Sequence, residues 1–154
     1  MPKKKRPPDQ GRLVATIETV EQTYYASQNR EHGDWFDDEA ILDITGKVEG
    51  ISPRHKRHLG QKIEMSFVCS RRFEKDVAEP AGKPFLLSVN LKKDCCSFMA
   101  YLPADAFWAL PSMIASKAVT RIEAMFGEPH SGSADLIGVY FATTPKLGSL
   151  PTQE

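Results

Sequence analysis

The sequence predicts an all-β fold, an antiparallel sandwich or small barrel of about seven strands carrying one short helix. Three observations support this. Apolar and polar residues alternate with a period of two over most of the chain, as in strands with one dry and one wet face. Gly, Pro, Asn and Asp interrupt that alternation at short intervals, where turns belong. One segment alone changes to helical spacing.

Candidate strands cover residues 12–25, 40–50, 62–70, 84–91, 95–102, 119–126 and 135–143. In ILDITGKVEG, Leu42, Ile44 and Val48 fall on one side, and Asp43, Thr45, Lys47 and Glu49 on the other. KIEMSFVCS repeats the pattern with Ile63, Met65, Phe67 and Cys69, and FLLSVNL aligns Phe85, Leu87, Val89 and Leu91. CCSFMAYL is apolar on both sides and reads as a more central strand. The short KKD between it and FLLSVNL is of hairpin length, so these two strands are expected to pair, with Cys95 and Cys96 facing opposite ways.

LPADAFWALPSMIASKAV breaks the rhythm by spacing Phe107, Leu110 and Ile114 for a helix. Pro103 suits its start, and Asp105 suits the positive end of its dipole. Pro111 lacks the N–H that an interior position needs, so a break or a second short turn is expected there. Phe107 and Trp108 are both read as core aromatics of a helix that plugs one end of the sheet layers.

A chain of 154 residues is one domain by size, able to bury about 70% of its unfolded surface. No apolar run approaches the roughly 18 residues of a membrane-spanning helix. Residues 1–11, rich in Lys, Arg and Pro, are expected to form a disordered basic tail. The β-rich domain is read over 12–145, and 146–154 as a flexible C-terminal tail. The start MPKKKRPPDQGRLVATIETV has no continuous apolar stretch of the secretory kind, which places the protein in the cytoplasm. Cys69, Cys95 and Cys96 match neither a disulfide framework nor a Cys-x-x-Cys zinc site, so reduced thiols are expected.

The net charge of zero hides an asymmetry. Residues 1–10 hold Lys3, Lys4, Lys5 and Arg6 against Asp9, which leaves 16 basic and 19 acidic residues in the rest, a net of minus 3. A body of that charge does not grip a nucleic-acid backbone with its whole surface, because such binding neutralises several phosphates at once. A local patch remains a candidate. In ISPRHKRHLGQ, Arg54, His55, Lys56, Arg57 and His58 form a basic segment between Pro53 and Gly60, readable as a site for an anion or an acidic partner or as a solvated turn. In REHGDWFDDEA, Trp35 and Phe36 are rimmed by carboxylates, readable as a protein-contact loop or as the start of the next strand.

No nucleophile elbow, phosphate-binding glycine loop or metal-ligand spacing occurs, so no catalytic residue, metal ligand or cofactor is assigned. His130, Ser131, Ser133 and Asp135 are the residue types of a hydrolase triad, but they adjoin one another in a polar turn between the last two strands, where triads are not built. The sequence therefore predicts a non-enzymatic binding module that engages a partner protein through end loops. The alternative is nucleic-acid or phosphate binding through the basic tail and the 54–58 segment, with Tyr24 or Tyr25 as stacking surfaces.

Overall fold

The period-two alternation resolves into eight strands, one more than the pattern predicts. The computed structural model describes residues 10–29, 35–71 and 86–143. The strands are β1 (Gly11–Thr16), β2 (Thr19–Asn29), β3 (Trp35–Ile51), β4 (Lys62–Cys69), β5 (Leu86–Leu91), β6 (Cys96–Tyr101), β7 (Arg121–Phe126) and β8 (Ser133–Ala142). Seven close on themselves in the order β1-β7-β8-β5-β6-β4-β3, and β3 returns to pair with β1. The sheet is a barrel, not a sandwich. β2 stands outside the ring, paired with β3.

The additional strand arises from a break in the run read as 12–25. β1 and β2 both lie antiparallel along the 17-residue β3, one opposite Val48–Ile51 and the other opposite Trp35–Thr45. Between them, at Ile17 and Glu18, the chain leaves the line so that β1 takes β7 as its second neighbour. Gly46 makes this crossing possible. A Cβ there would fall 1.8 Å from the Thr16 carbonyl oxygen, so β3 carries no side chain at the point of closest approach. Thr16 Oγ1 accepts from the Lys47 N–H at 2.9 Å beside it. One residue further, the β1–β3 register slips between Val14 and Ala15, leaving Glu49 unpaired as a bulge whose carboxylate receives Arg121 at 2.5 and 3.1 Å.

The interior is the dry face read from the alternation. Leu42, Ile44, Val48, Ile63, Met65, Phe67, Val89, Cys96 and Phe98 are all buried. Cys96 points inward and Cys95 is half-buried on the other side, as expected of neighbours in a strand. β5 and β6 pair antiparallel across the KKD turn. The sheet is nevertheless mixed, because β6 rather than β5 lies beside β4 and runs parallel to it. The expectation of a wholly antiparallel sheet fails at this one seam.

The helix α1 (Ala104–Ala115) closes the end at which β4 and β6 finish, inserting Phe107 and Leu110. It runs through Pro111 without the expected break. Trp108, read as core, stands 49% exposed instead. The opposite end is closed by a 3₁₀ turn over Pro53–His58, where Ser52 is tied to Arg12 by backbone and hydroxyl bonds. His130 to Ser133 form the compact turn before β8, with Ser131 and Gly132 at positive φ. β1 begins at Gly11, one residue before the boundary read from the sequence; residues 1–9 and 146–154 of the two tails lie outside the described residues.

Candidate functional site

Register decides what gathers at the helix-capped end. Tyr24 pairs with Ala40 and Ala40 with Cys69, so one row crosses β2, β3 and β4 on the face that continues the barrel lining. Ala40 and Cys69 are small and buried, which keeps the floor low. Trp108, projecting from α1, meets Tyr24 with ring centroids 6.2 Å apart. Between them lies a cleft of about 330 Å³, completed by Asp38, Ser70, Arg71 and Ala104.

Asp38 organises the cleft. Its carboxylate accepts from the Tyr24 hydroxyl at 3.3 Å, from the Arg71 backbone N–H at 3.2 Å, and from Arg71 Nε at 3.3 Å. Desolvation and then the negative charge of Asp38 raise the Tyr24 hydroxyl above its ordinary value of 10.0, so it stays a donor at neutral pH. The result is a cleft with aromatic sides, a low floor of Ala40 and Cys69, and a fixed polar pair in Asp38 and Arg71, suited to holding an apolar or planar group beside a hydrogen-bonding one.

The cleft opens beside an unusual strand. From Glu18 to Ala26 every side chain is exposed on both faces of β2, with Tyr25 62% and Tyr24 51% accessible. Edge strands are ordinarily blunted by lysine, proline or short length. β2 is 11 residues long and contains neither lysine nor proline. Trp35 and Phe36 begin β3 opposite Asn29 and Gln28 on the same ribbon; their side chains lie outside the described residues.

At the other end the basic segment is divided rather than displayed as one patch. Arg54 pairs with Glu128 at 3.2 Å. His55 turns inward against Phe126, ring centroids 5.5 Å apart, and His58 is 1% exposed. Lys56 and Arg57 face outward. Burial and then the charges of Arg54, Arg57 and His58 lower the His55 imidazole below its ordinary 6.5, keeping it neutral. Arg57 and His58 join Gln61, Leu91 and Lys93 around a second cavity of about 280 Å³. Arg71 belongs to the first cleft and does not meet the 54–58 segment: β4, eight residues or about 25 Å long, separates them.

The cleft is not legible in the sequence residue by residue, because Asp38, Arg71 and Trp108 come from three separate places in the chain. One signal was present. EQTYYASQN has no apolar side to its alternation, as befits a strand lying outside a barrel wall.

Among the described residues, no group of three or more His, Cys, Asp or Glu is placed to hold a metal ion. Nor is any helix among them long and apolar enough to cross a membrane. Compared with known proteins, the chain matches no family profile, no curated protein and no solved structure. Its class is therefore defined by its own geometry: a closed, mixed seven-strand barrel, capped by one helix, with an additional exposed strand.

Proposed function

We propose that this protein is a binding module that takes up an extended segment of a partner protein along β2, anchored in the cleft between Tyr24 and Trp108. The observation that carries the reading is the exposure of β2 on both faces beside that aromatic cleft. A strand added to a free edge gains main-chain hydrogen bonds, and a neighbouring pocket selects alternate side chains. Tyr, Trp and Arg, all present here, are the residues that dominate interface energetics. Trp35 and Phe36 extend the same ribbon and belong to the proposed contact. Cys95 and Cys96 form no disulfide, which suits a reducing compartment, and cytoplasmic residence is part of the proposal.

The test is selection of peptides from a random library on the full chain, followed by amide hydrogen exchange with the selected peptide bound. Protection over Thr19–Ala26 is expected, with binding weakened at least tenfold by Trp108→Ala, by Tyr24→Ala or by Val20→Lys, which places a charge on the edge. Protection elsewhere, or binding indifferent to all three changes, would remove the reading. Sedimentation of the free chain as a dimer that Val20→Lys dissociates would assign the edge to a second copy instead.

A further inference from the structure

The cavity at the end away from α1 is built by a chain of side-chain hydrogen bonds with cations on its rim. Arg57 Nε donates to His58 Nε2 at 3.2 Å, which leaves the proton of the neutral imidazole on Nδ1. His58 Nδ1 meets Gln61 Oε1 at 2.8 Å, and Gln61 Nε2 donates to the Lys93 carbonyl at 2.6 Å. The buried Cys96 thiol also reaches Gln61 Oε1, at 3.6 Å. Through this relay the 3₁₀ turn and the β5–β6 turn bring Arg57 and Lys93 to the lining of one cavity. Among the described residues no carboxylate lines it and neither cation pairs with one, unlike Arg54, Lys62, Arg71 and Arg121.

We propose that this cavity binds a small phosphomonoester, its phosphate between Arg57 and Lys93 and its organic part against Leu91. A phosphomonoester carries close to two negative charges at neutral pH, which matches two cations better than the single charge of a carboxylate does. Because only its Nε–H is engaged by His58, the Arg57 guanidinium keeps the remaining N–H groups for phosphate oxygens. His58, fixed from both sides and almost wholly buried, positions Arg57 without itself touching the ligand. About 280 Å³ admits one phosphate group and a small body, whereas a nucleic-acid backbone engages many phosphates along an open surface. This site is independent of the Tyr24–Trp108 cleft, and either stands without the other.

The experiment is titration of the full chain with inorganic phosphate, glycerol phosphate, acetate and a single-stranded oligonucleotide, followed by backbone amide shifts. Saturable shifts at Arg57–Gln61 and Leu91–Lys93 are expected with the two phosphates and not with acetate, glycerol phosphate binding the more tightly. Arg57→Ala and Lys93→Ala each weaken binding at least tenfold. Since Arg57→Ala also strips the donor from His58, Lys93→Glu serves as a second variant, its side chain making no ion pair among the described residues. Absence of saturation, equal response to acetate, response confined to the oligonucleotide, or binding unchanged in Lys93→Glu would each overturn the proposal.

Discussion

His55 packs beside the Phe126 ring, with Arg54 before it in the chain, Arg57 two residues after it and His58 one turn further on. Both burial and these charges oppose its protonation, so the folded chain binds this proton less readily than the unfolded chain does. The sign follows from linkage: stability is intact above the unfolded value of 6.5 and is lost as pH falls through it toward the lower folded value. Urea midpoints measured between pH 7.5 and 5 are expected to decline on acidification, and His55→Gln is expected to flatten that decline. An identical slope in the variant would mean that His55 is not the group responsible. Burial acts in the opposite direction on the Cys96 thiol, which it and then Cys95 push up to about 11, so that the thiol remains uncharged in the core.

Two neighbouring aromatics separate stability from binding within one element. Phe107 is fully buried in the core cluster, whereas Trp108 is half-exposed and leans on Tyr24. Phe107→Ala is expected to cost about 3–5 kcal/mol in equilibrium unfolding, the range for emptying a core aromatic site. Trp108→Ala is expected to cost under about 1 kcal/mol, as surface positions do, while abolishing the peptide contact proposed for the cleft. Equal losses from the two would place Trp108 in the core after all. The helix itself was legible from the spacing of Phe107, Leu110 and Ile114. Its unbroken passage through Pro111 was not, because intrinsic propensity counts the lost N–H but not the packing of Phe107 and Leu110 before it and Ile114 after it against the core. A turn was also expected around 54–58, but not the inward rotation of His55 and His58. Charge alone assigns such residues to solvent, and only closure of the barrel end supplies the apolar surface that covers them.

At the scale of the molecule, closure gives seven strands a hydrogen-bonded neighbour on each side and leaves β2 with β3 alone among the described residues. Opening free energies follow that division, since exposed backbone hydrogen bonds with few buried contacts open first. Native-state hydrogen exchange is expected to be fastest over Thr19–Ala26 and slowest over β4 and β6, which lie inside the ring and carry Ile63, Met65, Phe67, Cys96 and Phe98 into the core. Protection of β2 equal to that of β4 in the free chain would mean that its edge is already filled.

The alternation of side chains and the turn signals by themselves determined that the chain is all-β, which strand residues face inward, that β5 pairs with β6, and where the helix over Ala104–Ala115 falls, because each of these depends on neighbours within about ten residues. Only the tertiary structure decided that the sheet closes as a barrel, that β6 lies parallel to β4, that β2 is left outside the ring, and that Tyr24, Asp38, Arg71 and Trp108 share one cleft. The reason is physical. Burial of an alternating face is satisfied equally by a sandwich or a barrel and by either strand of a hairpin against β4, and what selects among them is long-range contact, such as Gly46 passing beneath the Thr16 carbonyl, that no local period records.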